Sequence, residues 1–191
     1  TVSVVESQSI PAENGLNVDL TIDAGYQKIL ETELLDGVQK FMARSASGII
    51  MNPNTGEILA LANYPDYDPR EFSAADDEAR RNRILTDTYE PGSTIKPLII
   101  AALLNEGIVK EDNVIFAENG SYKFNRTRIT DVHPYGNLTV HDVLVNSSNI
   151  GMAKLSTKMD DNSFYKYLRD FGFGNRTLIN LPGETEGTLK R

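Results

Sequence analysis

Two residues near the middle of the chain have the chemistry of a nucleophile and its base: Ser93 and Lys96, in the stretch Tyr89-Glu90-Pro91-Gly92-Ser93-Thr94-Ile95-Lys96-Pro97. A serine hydroxyl attacks poorly at neutral pH unless a neighbouring base takes its proton. On a helix, Lys96 falls one turn beyond Ser93 on the same face. An amine serves as that base only when burial or a nearby positive charge lowers its pKa, and the flanking Ile95, Leu98 and Ile99 are consistent with burial. Pro91-Gly92 allows a sharp turn into the helix, whose first amides and dipole can stabilise a developing oxyanion.

The spacing alone is not specific, because Ser163-Phe164-Tyr165-Lys166 repeats it. That second pair reads as a helix-capping serine after Asp160-Asp161-Asn162, followed by an exposed lysine. A further cluster, Ser147-Ser148-Asn149, supplies what Ser93 and Lys96 lack. Ser147 can relay a proton to a leaving group, and the Asn149 amide can hold a substrate carbonyl. The plain alternative is that both serines cap the helix that follows.

These residues need elements to hold them. Apolar residues from Leu98 to Leu104 predict a helix beginning near Ser93 and stopping at Gly107, with Pro97 tolerated in the first turn. Thr139 with Asp142 is a helix-start signature, Ser148 to Met159 reads as another helix, and Asn162 or Ser163 can cap one more, ending near Gly172. Upstream, Val2 to Val5 and Leu20-Thr21-Ile22 have strand character, and Asp23 caps a helix over about residues 24–43 whose apolar positions include Tyr26, Ile29, Leu30, Leu34, Val38 and Phe41. Gly48 to Met51 and Ile58 to Ala62, separated by Asn52-Pro53-Asn54-Thr55-Gly56, predict a hairpin over about residues 47–63, apolar on both faces and so covered on both sides. Tyr64 to Pro69 is loop, and the charged run Asp76 to Arg83 is a solvated helix.

Composition narrows the function. The 191 residues are 40% hydrophobic and 24% charged, enough for a good-sized core. A net charge of −8 argues against nucleic-acid or anionic-membrane partners, which require a basic surface. With no cysteine, two histidines and no His-x-x-x-His pair, neither a disulfide framework nor a metal is expected, and no cofactor is implied. The longest apolar run, Leu98 to Leu104, falls far short of the roughly 20 residues that span a bilayer. No signal peptide is evident, so any membrane anchor is expected outside this chain. His133 and His141 lack the Gly-x-Ser-x-Gly elbow of a hydrolase triad, and Gly172-x-Gly174 lacks the rest of a dinucleotide fingerprint.

The stretch from Tyr89 to Pro97 resembles the active-site segment of the class B penicillin-binding proteins, the monofunctional transpeptidases that cross-link peptidoglycan. Other blocks agree in order: Leu20 to Asp23 with Gln27, Pro53 to Ala60, Pro65 to Pro69, Leu138-Thr139-Val140 with Ser147-Ser148-Asn149, Phe171 to Gly174, and Leu181 to Glu184. The resemblance implies an α+β fold of the penicillin-binding transpeptidase and serine β-lactamase type, present here as its N-terminal portion: the hairpin and the helical subdomain without the C-terminal sheet strands. Residues 1–15 would be the end of an upstream linker or pedestal, and residues 16–191 a partial transpeptidase domain. Ser93 would be acylated by a D-Ala-D-Ala stem peptide or a β-lactam, with Lys96 as base, Ser147 as relay and Asn149 binding the substrate amide. An amine of a second stem peptide would then resolve the acyl-enzyme.

Glu90 favours the septal, cell-division branch, which implies divisome partners and a site on the periplasmic face of a bacterial inner membrane. The family's third motif, Lys-Thr/Ser-Gly, does not occur in the sequence, so only part of the active site is expected here, with an unpaired strand edge and exposed apolar helix faces. Two other readings share the serine-lysine motif: a β-lactam sensor that is acylated without turnover, and an inactive structural fragment. The hairpin and Pro-Asp-Tyr-Asp-Pro blocks favour the transpeptidase.

Overall fold

A computed structural model describes residues 14–190, and the chain divides after Ile84 into two compact units. The Val2 to Val5 strand pattern, and nearly all of the expected upstream segment 1–15, lie outside the described residues.

The first unit is a helix on a hairpin. Helix α1 (Ala24–Phe41) starts where the Asp23 carboxylate accepts hydrogen bonds from the Gly25 and Tyr26 amides, and ends at Met42 in a left-handed conformation. Strands β1 (Ala46–Met51) and β2 (Ile58–Tyr64) pair antiparallel, as the turn residues between them predict. The helix lies close against the strands because Gly48 has no side chain: a Cβ there would sit 2.7 Å from Leu30 Cδ1. Gln27, Leu30, Leu34 and Val38 form the inward stripe, while Tyr26, Ile29 and Phe41 stay exposed.

Three expectations for this unit are corrected. Leu20-Thr21-Ile22 is not a strand, yet this segment still covers the outer edge of β2, through Thr21 Oγ1 donating to Ile58 O and the Asp23 amide to Leu59 O. Gln27 completes the cover by accepting from the Leu61 amide (2.9 Å) and donating to the Leu61 carbonyl (3.1 Å). The hairpin is also not covered on both sides. Because α1 packs on one face only, Ile49 and Met51 of β1 are exposed among the described residues. Finally, the charged run 76–83 forms two short helices, α2 (Asp77–Arg80) and α3 (Arg83–Thr86), the first capped by Asp76.

The second unit is mainly helical. A 3-10 turn, Gly92–Ile95, leads into α4 (Lys96–Asn105), and the left-handed Gly107 just beyond its cap makes the stop that the sequence predicts. Four short strands follow that sequence reasoning did not foresee: β3 (Val114–Phe116), β4 (Ser121–Phe124), β5 (Thr127–Thr130) and β6 (Asn137–Thr139). They pair antiparallel as β3 with β6 and β4 with β5. At three or four residues each, none is long enough to display an alternating pattern.

Helices α5 (Val140–Val145), α6 (Asn149–Ser156) and α7 (Asp161–Asp170) complete the unit. The cap of α7 is Asp160 and not Asn162 or Ser163, because a carboxylate one step earlier reaches both the Asn162 and Ser163 amides. The core is built from Ile100, Leu103, Val140, Val143, Ile150 and Leu155, contributed by α4, α5 and α6. Each such side chain stabilises the fold by about 1.5–3 kcal/mol through burial.

Candidate active site

Helix α4 carries its apolar stripe at Ile100 and Leu103, and Lys96 begins that stripe one turn earlier. The lysine is therefore drawn into the core side of the helix, and only 7% of its surface remains exposed. Gly92, with φ of +58°, makes the turn that a side chain would strain. The Lys96 amide then donates to the Ser93 carbonyl in the 3-10 pattern, which aligns side chains three apart more closely than an α-helix does. Ser93 and Lys96 thus lie on the same side of the turn, Ser93 exposed at its mouth and Lys96 behind it.

The partner segment comes from the joint between α5 and α6. Thr139 and Asp142 form a complete capping box that fixes the start of α5. At the far end Ser147 adopts φ of +51°, a left-handed conformation that costs a non-glycine residue about 1 kcal/mol or more. The chain reverses there, the Ser148 amide donating back to Val143 O and the Ser148 hydroxyl capping α6 through the Gly151 amide at 2.9 Å. Ser148 is thus the capping serine, and its neighbour Ser147 is left facing α4.

Lys96 Nζ meets this joint at three points: the Ser147 carbonyl at 2.6 Å, the Ser147 hydroxyl at 3.0 Å and Asn149 Oδ1 at 2.8 Å. Three acceptors match the three N–H bonds of an ammonium. Two of them can only accept, whereas the Ser147 hydroxyl can also donate. When Lys96 is neutral, its lone pair can therefore face a serine hydroxyl without disturbing the other two bonds. Burial lowers the Lys96 pKa, and the Asp131 carboxylate partly offsets this by favouring the charged form.

The Asn149 amide has one possible orientation, since Oδ1 faces the ammonium and Nδ2 donates to the Thr130 carbonyl at 3.0 Å. One Nδ2 hydrogen is left over for a substrate carbonyl. Sequence reasoning had no reason to single out Asp131. It stands just past β5 and accepts from Ser148 Oγ (2.6 Å), the Asn149 amide (2.6 Å) and the Ile150 amide (3.1 Å). A contact across seventeen residues from a strand of four leaves no local pattern to find.

The four expected residues thus divide. Lys96, Ser147 and Asn149 are hydrogen-bonded together, and Ser93 adjoins them across one turn without a side-chain bond to Lys96. The control pair behaves differently. Ser163 lies within α7, and Lys166 extends to Asp170 in an exposed ion pair.

A serine at a tight helix entrance, a buried lysine behind it, and a serine and an asparagine from a second helix start are thus gathered at one place. The sequence profile of the penicillin binding protein transpeptidase domain matches residues 46–191. The chain belongs to that family, an enzyme family, and its class B branch describes this fragment.

Among its relatives, the peptidoglycan D,D-transpeptidase FtsI of Escherichia coli strain K12 is 37% identical over 184 residues, covering 96% of this chain and 31% of FtsI. The probable peptidoglycan D,D-transpeptidase PenA of Neisseria gonorrhoeae is 37% identical over 192 residues, covering 98% of this chain and 33% of PenA. The apo transpeptidase domain of penicillin-binding protein 3 from Burkholderia pseudomallei superposes with a TM-score of 0.80 at 32% identity, over 94% of this chain and 50% of that one. A peptidoglycan glycosyltransferase crystal structure from Burkholderia ambifaria gives a TM-score of 0.81 at 34% identity, over 91% and 51%. The chain therefore spans about a third of these curated relatives and half of the solved chains. Its mixed helix-and-strand fold is that of the penicillin-binding transpeptidases, as the sequence resemblance implies.

Proposed function

We propose that this chain carries the nucleophile, base and relay of a peptidoglycan D,D-transpeptidase whose functional domain begins near residue 16. The observation that carries this reading is the buried Lys96 ammonium held by Ser147 and Asn149, one turn behind an exposed Ser93. Burial shifts Lys96 toward the neutral amine, the form that can accept the Ser93 proton.

Ser93 Oγ then bonds to the penultimate D-Ala carbonyl carbon of a stem peptide while its proton passes to Lys96 Nζ. Collapse of the tetrahedral intermediate breaks the C–N bond. The proton travels through Ser147 Oγ, 3.0 Å from Nζ, to the departing D-Ala amine. The amine of a second stem peptide attacks the resulting ester and returns a proton to Ser93. The free Asn149 Nδ2 hydrogen binds the substrate backbone. A β-lactam mimics the dipeptide and leaves a stable ester on Ser93.

The protein's partners are accordingly stem peptides and β-lactams. Glu90, together with the likeness to a relative named FtsI, supports a septal role among divisome proteins on the periplasmic face of the inner membrane. No helix among the described residues is long and apolar enough to cross a membrane.

Incubation of the full-length protein with a fluorescent penicillin tests this reading. Ser93→Ala should abolish labelling. Lys96→Arg keeps the positive charge but cannot deprotonate, and should slow acylation by about 10²–10⁴-fold with the melting transition retained. Unchanged labelling in either variant would remove the site assignment.

A further inference from the structure

We propose that Asp131 is a positioning residue for the acyl-transfer site, its carboxylate holding the first residues of α6 in the orientation that presents Ser147 and Asn149 to Lys96. The inference rests on the acyl-transfer reading above.

Both carboxylate oxygens are committed. Oδ2 accepts from Ser148 Oγ at 2.6 Å, and Oδ1 accepts from the Asn149 and Ile150 amides at 2.6 and 3.1 Å. Three consecutive residues, Ser148 and Asn149 of the Ser147-Ser148-Asn149 cluster and the Ile150 that follows, are thus tied to a single side chain. The preceding residue, Thr130, takes Asn149 Nδ2 on its carbonyl, so the end of β5 fixes the backbone and the side-chain orientation of Asn149 together. Charge-assisted bonds of this kind are roughly twice as strong as neutral ones, and Ser148 itself is 1% exposed. Next to this clamp stands Ser147 in its left-handed conformation, with its carbonyl and hydroxyl on Lys96, a strained backbone that the neighbouring bonds help to hold.

The same carboxylate acts on Lys96 through space. Several charged groups on the neighbouring elements are bonded elsewhere: Arg128 to the Ser121 hydroxyl, Asp142 to Thr139 and His141, Lys154 to Glu118, and Lys166 to Asp170. Asp131 therefore has two separable effects, one geometric and one electrostatic. It holds the motif, and it keeps Lys96 from losing its charge too readily.

The test is the rate of acylation of the full-length protein by a fluorescent penicillin, measured across pH for wild type, Asp131→Asn and Asp131→Glu. The rate rises with pH as Lys96 deprotonates. Asparagine keeps an acceptor for the amides but removes the charge that favours the ammonium, so the midpoint should move toward acid. The plateau should also fall, by roughly 10- to 100-fold, as the motif loosens. Asp131→Glu keeps the charge on a longer arm, and should lower the plateau while holding the wild-type midpoint.

A lowered plateau in Asp131→Asn with the wild-type midpoint overturns the proposal, since a merely structural residue would do that. Should Asp131→Asn fail to fold, Asp131→Glu decides alone, and a displaced midpoint there overturns it. Wild-type protein that labels at no pH overturns the acyl-transfer reading itself.

Discussion

Gly151 offers a test of how tightly the second motif is packed. Glycine inside a helix normally gives way to alanine with a gain of about 1 kcal/mol, because alanine loses less backbone freedom on folding. In α6 the added methyl has nowhere to go. An ideal Cβ would sit 2.5 Å from Val143 Cγ2, 2.8 Å from Val143 Cγ1 and 3.1 Å from the Ser148 hydroxyl. Val143 is fully buried, and a β-branched side chain has little rotamer freedom with which to retreat. Overpacking of this kind costs roughly 1–3 kcal/mol, which exceeds the propensity gain.

Gly151→Ala is therefore expected to destabilise by about 1 kcal/mol net, lowering the melting temperature by about 2–4 °C. Because α6 must shift away from α5, and Ser148 joins them, acylation by a fluorescent penicillin should slow as well. Val143→Ala opens the needed space. Alone it should cost about 1.5–3 kcal/mol, and combined with Gly151→Ala it should cost at least about 1 kcal/mol less than the two single effects together. Thermal melts and acylation rates of the four proteins read the cycle. Additive costs, or an alanine at position 151 that stabilises, would show that the α5–α6 contact is not tight and would sink the reasoning.

Two further outcomes are expected. Gln27→Ala removes the side chain that pairs with the Leu61 amide and carbonyl, and should destabilise the hairpin by about 1–2 kcal/mol, with faster hydrogen exchange at the Leu61 amide; unchanged exchange there would argue against the edge cover. The Ser163 side chain and amide hold the Asp160 pKa below the usual carboxylate range, so the cap stabilises above that range and is lost as pH falls through the depressed value. Amide protection at Asn162 and Ser163 should then collapse as pH falls through that depressed value, but not in Asp160→Asn, whose neutral cap does not titrate; equal acid sensitivity in both proteins would refute this.

Where a local rule governs the backbone, the sequence was sufficient. Asp23, Thr139 with Asp142, and Ser148 each satisfy amides within three residues, so their helix starts are written in adjacent positions. The hairpin turn, the stop at Gly107 and the break before Ser93 follow equally from glycine and proline. Ser93, Lys96, Ser147 and Asn149 were legible as residue types, but their spacing was not decisive. Ser163 and Lys166 share that spacing and have no lysine buried against a second motif.

The tertiary structure alone decided which lysine is enclosed. Lys96 falls in line with Ile100 and Leu103 on a face that packs into a core, whereas Lys166 points from α7 toward Asp170 and solvent. It also decided that Asp131 ties down the second motif, and that Thr130 orients Asn149. Such contacts join positions far apart in the chain, and their strength depends on burial and direction. Neither quantity exists until the helices have packed, so the sequence by itself specified the reactive groups and their local turns while the packed fold gave one lysine the surroundings of a base.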